Sequence, residues 1–145
     1  MTRVPTYVVD ASVAVKWYLP EEGQEQARAL AGQARDGRAQ LMAPELLATE
    51  VANAAWKRQQ RGELLPEEAC EIAAEVQKAP LTFLEVRPLL LLATHLATTH
   101  GCTVYDALYL AVAEAYDTVV ITADRGLGEK APERVRMLGE FGSLT

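Results

Sequence analysis

The chain has 145 residues, of which half are hydrophobic and 23% are charged, with a formal net charge of −6. This length and composition suit one globular domain, so we expect a single domain over residues 1–145. The acidic balance disfavours broad, non-specific binding to nucleic acid through a basic surface. It does not exclude a nucleic-acid substrate, because four acids gathered in one metal site would leave only about −2 on the remaining surface.

No segment of the sequence indicates export or membrane insertion. Pro5 and Asp10 interrupt any signal-peptide core near the start of the chain. The longest apolar stretch, around residues 89–93, is far too short to span a bilayer. Cys70 and Cys102 form no CxxC pair, and we expect both to be small buried residues in a reducing compartment. The expected protein is soluble and cytoplasmic.

The first half of the chain predicts two strands, each followed by helix. The apolar, β-branched run at residues 7–9 predicts a buried strand that ends at Asp10. Acidic residues in a first turn and apolar residues at helical spacing predict a helix over 21–35. A second strand is predicted at 40–43. Pro44 suits a first helical position and predicts a long helix that runs to about residue 61.

The second half continues the alternation. Proline and glycine signals bound two further helices, and a third helix follows them. The predicted helices cover residues 66–78, 89–98 and 103–116. The predicted strands cover residues 82–86, 118–122 and 133–138, of which T-V-V-I-T at 118–122 is the clearest. Strands alternating with helices imply a parallel sheet covered on both faces.

Four acidic residues are predicted to lie near one edge of this sheet. Asp10 follows the first strand directly, and Asp124 follows the strand at 118–122 by one residue. Ligands bind beyond the carboxyl ends of parallel strands, near a switch in strand order. Asp106 lies in the first turn of the helix that leads into that strand, and such a helix starts at the same edge. Glu50 lies about six residues into its helix, which is roughly 9 Å along the axis.

Each acid taken alone has an ordinary structural explanation. Asp106 can be the partner of a helix dipole, and Asp10 can cap a turn. Taken together they predict a charged cluster, and carboxylates about 4 Å apart repel by about 4 kcal/mol at an effective dielectric near 20. Such a cluster needs a proton or a cation. Oxygen ligands without nearby cysteine or histidine suit Mg²⁺ or Mn²⁺ rather than zinc.

Four short motifs occur in the order and spacing of a known family. They are V-V-D-A-S at 8–12, P-E-L-L-A-T-E ending at Glu50 with Asn53 after it, T-V-Y-D at 103–106 and I-T-A-D at 121–124. With these motifs the chain resembles the PIN-domain family over essentially its whole length. It resembles in particular the single-domain VapC-type toxins of type II toxin–antitoxin pairs. No single motif is specific, and the resemblance depends on their joint order.

The resemblance implies a three-layer α/β/α fold with a central parallel sheet of about five strands. It also implies Mg²⁺-dependent RNA cleavage (with Mn²⁺ able to substitute), a homodimer and a VapB-like antitoxin as partner. By position, Asp10 and Asp106 would be the main metal ligands and Asp124 a further ligand. Glu50 would complete the catalytic acids.

The resemblance also implies supporting residues around these acids. Ser12 and Thr122 would offer hydroxyls that orient the carboxylates, and Asn53 and Thr103 would support the site from further away. Tyr105, beside the third acid, has two interpretations: it packs beneath the site or it stacks on a base. We expect it to pack.

Other functions stay open at this point. A phosphoaspartate phosphatase or receiver would use Asp10 as a nucleophile. Position 12 is serine, however, so the D-x-D pattern typical of such phosphatases is absent. A PIN-like module that only holds a partner is a second alternative, and a free-standing RNA-processing nuclease is a third. The sequence names neither an RNA target nor an antitoxin.

Overall fold

A computed structural model describes residues 3–141 of the protein. Its strands are β1 (Thr6–Val9), β2 (Gln40–Pro44), β3 (Thr82–Leu84), β4 (Val120–Thr122) and β5 (Val135–Met137). Its α-helices are α1 (Ala11–Ala14), α2 (Gln24–Arg35), α3 (Leu46–Gln60), α4 (Pro66–Val76), α5 (Leu90–His100), α6 (Val104–Ala115) and α7 (Arg125–Lys130). Short 3₁₀ turns lie at Val15–Trp17, Arg87–Leu89 and Leu138–Glu140. Helices flank one five-stranded parallel sheet, which confirms the predicted α/β/α fold.

The sheet has the order β3-β2-β1-β4-β5, so β1 is its central strand. Val8 of β1 is paired with Met42 on one side and with Val120 on the other. Val8 and Val9 are fully buried, which explains why an apolar, β-branched run occupies the centre of a sheet covered on both faces. The chain builds outward from β1 to β3 and then returns to the other side of β1. The strand order therefore switches between β1 and β4, where a crevice for ligands is expected.

Helix α6 is the buried helix that leads into β4. It packs on β1, β2 and β4 and also against α5. Its contact with α5 is made largely of small side chains, which let two helices approach closely. These are Ala93, Ala97, Ala107 and Ala111. A helix held this firmly gives its first turn, at the carboxyl edge of the sheet, a fixed position.

Helix α2 starts at Gln24, so the predicted start at residue 21 is wrong. Gly23 precedes the helix with a φ of 86°, a left-handed conformation that ends helical continuity toward the N-terminus. The Glu21 side chain forms ion pairs with two cations instead. Glu21 lies 3.2 Å from Lys16 Nζ and 3.0 Å from an Arg58 guanidinium nitrogen.

Other predicted boundaries shift for local reasons. Pro44 is not the first helical residue but the last residue of β2, where it is paired with Leu84. Strand β4 begins at Val120 rather than at residue 118, because Asp117 makes a turn with a φ of 50°. Two helices were not predicted. Helix α1 has only four residues, and α7 contains two glycines, which disfavour helix.

The two cysteines are both free thiols, and neither is fully buried. Cys70 is exposed and Cys102 is half-buried, so the expectation of two buried residues is wrong. Across residues 3–141, no helix has the length and apolar character needed to cross a bilayer.

The buried packing of α6 can be tested with a matched pair of leucines. Leu110 on α6 is 1% exposed, whereas Leu91 on the adjacent α5 is 87% exposed. We expect Leu110→Ala to lower the free energy of unfolding by about 2–5 kcal/mol, because it leaves a cavity in the core. Leu91→Ala should change it by less than about 0.5 kcal/mol. Urea unfolding followed by circular dichroism measures both, and equal effects would contradict this packing.

Candidate active site

The ends of β1 and β4 are joined by hydrogen bonds centred on Asp10. Its carboxylate oxygen Oδ2 accepts hydrogen bonds from Ser12 Oγ at 2.6 Å and from Thr122 Oγ1 at 2.8 Å. Both hydroxyls also accept a backbone N–H, from Ala123 at 2.9 Å and from Asp124 at 3.0 Å. The two hydroxyl oxygens are also 3.1 Å apart, so both hydroxyls and Oδ2 form one hydrogen-bond network. The predicted hydroxyl support of Asp10 is present, and it leaves Oδ1 without a hydroxyl donor.

Glu50 is held by a residue that the sequence interpretation missed. The Tyr109 hydroxyl donates a hydrogen bond of 2.7 Å to Glu50 Oε1 and links α6 to α3. Tyr109 is only 1% exposed and Glu50 is half-buried, so the tyrosine side of this contact is shielded from water. Tyr109 lies three residues after Asp106, on the same face of α6. The spacing of three residues from Asp106 is the sequence signal that could have identified Tyr109 as part of the site.

Asp106 and Asp124 lie at the starts of two helices. Thr103 Oγ1 accepts the backbone N–H of Asp106 at 3.1 Å and thereby caps α6, so Thr103 lies where the sequence predicted a support. Asp124 caps α7 itself, because its Oδ1 accepts the backbone N–H of Gly126 at 2.9 Å. A Cβ at Gly126 would lie 3.2 Å from that oxygen, so glycine leaves room for the carboxylate.

The acids influence one another electrostatically. Burial raises the pKa of Asp10, and the charge on Asp106 raises it further, against the lowering effect of the two hydroxyls. Burial also raises the pKa of Glu50, as do the charges on Asp10 and Asp106, while the Tyr109 hydrogen bond lowers it. The pKa of Asp106 is raised by burial and by the charge on Asp124. The four residues therefore form one electrostatic unit.

The donor set suits a hard divalent cation, although the side chains do not form a finished cage. Within the described part of the chain, no three His, Cys, Asp or Glu side chains are grouped so that they could hold a metal ion. Mg²⁺ does not require such a group. It keeps several waters and is usually bound by one or two carboxylates together with substrate phosphates. Repelling carboxylates with raised pKa values and oxygen-only donors fit this kind of site.

Two other residues named from the sequence are placed differently. Asn53 is exposed on α3 and has no hydrogen bond to the site among the described residues. Tyr105 is 64% exposed, so the expectation that it packs beneath the site is wrong.

A cavity lies beside the acids, and none of the four lines it. It has a volume of about 950 Å³ and lies between α7, β5 and the turn after β5. Ala123 and Arg125, on either side of Asp124, belong to its wall, together with Arg136 and Lys16. The groove therefore begins at the acidic edge of the sheet.

The PIN-domain family model matches residues 7–132, a span that includes all four acids. The chain belongs to the PIN-domain family. This PIN domain is 41% identical over 130 residues to Ribonuclease VapC3 of Pyrobaculum aerophilum, covering 88% of this chain and 96% of that relative. The resemblance to VapC-type proteins is thereby confirmed.

Similar solved structures include the following two. The Pyrobaculum aerophilum protein PAE2754 matches with a TM-score of 0.73 and 26% identity, covering 97% of this chain and 88% of that one. A toxin–antitoxin complex from Klebsiella pneumoniae matches with a TM-score of 0.62 and 15% identity, covering 91% of this chain and 97% of that one. At 15% identity the second likeness shows the fold alone.

The raised pKa of Asp10 predicts a pH-dependent cost to stability when no metal is bound. A carboxyl whose pKa is raised on folding stabilises the fold while it is protonated, and this contribution is lost as pH rises through the folded pKa. We therefore expect Asp10→Asn to melt higher than the wild type in EDTA at pH 7.5. The increase should be roughly 3 °C, which corresponds to about 1 kcal/mol in a domain of this size.

The difference should shrink as pH falls toward the ordinary aspartate value of 3.8. Asp117→Asn is the matched control, because its side chain is 94% exposed. Thermal unfolding followed by circular dichroism measures all three proteins. A wild type that melts higher than Asp10→Asn at pH 7.5 in EDTA would show that the Asp10 charge stabilises the metal-free fold.

Proposed function

We propose that this PIN domain is a Mg²⁺-dependent endoribonuclease and the toxin of a VapBC-type toxin–antitoxin pair. The observation that carries the proposal is the electrostatic coupling of four carboxylates from four separate elements: the charge on Asp106 raises the pKa of Asp10 and of Glu50, and the charge on Asp124 raises the pKa of Asp106. The four are Asp10, Glu50, Asp106 and Asp124. A relative that is 41% identical and named a VapC ribonuclease supports RNA as the substrate class.

The proposed mechanism assigns a distinct task to each residue. Asp10 and Asp106 would hold the ion, with Asp124 as a further ligand. The chemistry that Mg²⁺ supplies when bound is neutralisation of phosphate charge and activation of water for in-line attack. Ser12 and Thr122 keep Asp10 oriented, because both hydroxyls hydrogen-bond its Oδ2.

Glu50 is the acid best suited to take a proton from the attacking water. Its pKa is raised by burial, and Tyr109 occupies only Oε1, which leaves Oε2 available. A base whose pKa approaches the working pH is the more effective catalyst. Tyr109 is a positioning residue in this scheme, since it acts through Glu50.

Positive charge near the acids would help a polyanion approach an acidic protein. The Lys130 ammonium, at the end of α7, lowers the pKa of Asp106. Lys130 therefore lies near the proposed metal ligands. Arg125 follows Asp124 directly and forms part of the adjoining groove. Both cations would meet backbone phosphates of RNA.

A VapB-like antitoxin is the proposed partner. The VapC name of the relative that is 41% identical supports it. The homodimer and the cytoplasmic location stay predictions.

The nuclease proposal is tested by an activity assay with two matched aspartates. Asp106→Asn should lower RNA cleavage in Mg²⁺ or Mn²⁺ by at least about 100-fold, because it removes a metal ligand. Asp117→Asn should cleave like the wild type, since Asp117 lies beyond the other end of α6 and asparagine tolerates its positive φ. Cleavage by the wild type in excess EDTA, or by Asp106→Asn at the wild-type rate, would contradict the metal-site mechanism.

The role of Tyr109 is tested by removing only its hydroxyl. Tyr109→Phe keeps the buried ring and leaves Glu50 without its donor, which raises the pKa of Glu50 further. We expect kcat to fall about 10-fold and the acidic limb of the pH–rate profile to move to higher pH, because Glu50 loses the hydrogen bond that positions it and lowers its pKa. Tyr116→Phe, at an exposed tyrosine, is the control. A wild-type kcat and pH–rate profile in Tyr109→Phe would show that the hydrogen bond does not position Glu50.

A further inference from the structure

Tyr105 presents a large aromatic surface to solvent beside the acidic site. It is the second residue of α6, directly before Asp106, and it is 64% exposed. In the described part of the chain its ring joins no aromatic pair and its hydroxyl makes no hydrogen bond. A single exposed aromatic residue is common on protein surfaces, so its exposure alone indicates little. Its position directly before Asp106 is what connects it with the site.

The backbone that carries Tyr105 is fixed at both ends of the first helical turn. Before it, Thr103 caps the helix through the N–H of Asp106. After it, every residue from Ala107 to Ala113 is buried in the core. Successive residues on a helix point about 100° apart, so the Tyr105 side chain leaves the helix beside Asp106. Its backbone is therefore held firmly next to one of the proposed metal ligands.

We propose that Tyr105 stacks on a base of the RNA next to the scissile phosphate, an inference that rests on the proposed ribonuclease function. Bases of single-stranded RNA are recognised by stacking on aromatic side chains. Each such contact raises affinity by roughly 5- to 100-fold. A phosphate held at the proposed metal site beside Asp106 would bring a neighbouring base close to the preceding residue on the helix, which is Tyr105.

Stacking on Tyr105 also limits the class of RNA substrate. A base can stack on an exposed ring only when it is free of its own helix, because the bases of a duplex are already stacked on one another. The preferred substrate is therefore single-stranded RNA or the loop of a hairpin, and a perfect RNA duplex should be cut poorly.

The same helix offers a matched control at its other end. Tyr116 follows the last residue of α6 and is 52% exposed, so it loses a comparable exposed ring on substitution. It lies eleven positions beyond Tyr105, which is roughly 16 Å along the helix. Tyr105→Ala and Tyr116→Ala thus differ mainly in their distance from the acids.

The first experiment measures kcat and KM in Mg²⁺ on short single-stranded RNAs, hairpins and duplexes. Tyr105→Ala should raise KM for single-stranded RNA about 5- to 50-fold with kcat changed less than about 3-fold, as expected for one lost stacking contact. Tyr105→Phe and Tyr105→Trp should retain the wild-type KM, since both keep a stacking face. Tyr116→Ala should match the wild type. A wild-type KM in Tyr105→Ala would overturn the proposal.

The second experiment detects stacking directly with RNA that carries 2-aminopurine, whose fluorescence falls when the base stacks. Asp10→Asn is the background, so that the RNA is bound and not cut. Binding should quench the probe at one position along the RNA, and the added Tyr105→Ala substitution should remove that quenching. Quenching that persists without the ring at every probe position would contradict the assignment.

The outcomes separate this inference from the function on which it rests. If the wild type cleaves no RNA in Mg²⁺ or Mn²⁺, the proposed function fails and stacking fails with it. If the wild type cleaves and Tyr105→Ala is indistinguishable from it, only the stacking role fails. If Tyr105→Ala keeps its RNA kinetics but loses affinity for a co-purified small protein, the ring belongs to a partner surface and the proposal is wrong.

Discussion

The site depends on the parallel pairing of β1 with β4, because that pairing sets a buried carboxylate beside the hydroxyls that solvate it. An aspartate that is only 7% exposed would be costly without hydrogen bonds. Asp10 receives two of them at one oxygen, from Ser12 just after β1 and from Thr122 at the end of β4. The Ser12 hydroxyl accepts the backbone N–H of Ala123, and the Thr122 hydroxyl accepts that of Asp124. The pairing of the two strands at the switch in strand order thus provides the support for the first acid.

The other three acids are held by neighbouring groups rather than by one another. Glu50 on α3 accepts a hydrogen bond from a tyrosine on α6, the backbone N–H of Asp106 is capped by Thr103, and the Asp124 carboxylate caps α7. Local anchoring of this kind leaves the repulsion between carboxylates unrelieved in the metal-free protein. It also explains why no three of the described acids form a closed cage, and why a water-rich Mg²⁺ bound partly by phosphate suits the site better than a fully protein-bound ion.

Much of this architecture could be predicted from the sequence because it follows from short-range patterns. The apolar run before Asp10 and the T-V-V-I-T strand before Asp124 fix the edge at which both acids leave the sheet. The partners of those acids were harder to predict, because they are brought together by tertiary packing. In the sequence, Tyr109 is an ordinary apolar position of α6, and its hydrogen bond to Glu50 exists only because α3 packs beside α6. Asn53 shares a helical face with Glu50, but its side chain is exposed to solvent. The short, glycine-containing α7 follows from capping by Asp124 rather than from helix propensity.

The central claim is that these carboxylates form one divalent-metal site at the end of β1. The most direct test is the anomalous diffraction of crystals soaked in Mn²⁺, with Asp10→Asn crystals treated in the same way. The account predicts a peak at coordination distance from Asp10 and Asp106 in the wild type and its loss in the variant. A peak that is absent from the wild-type edge, or that persists unchanged in Asp10→Asn, would contradict it.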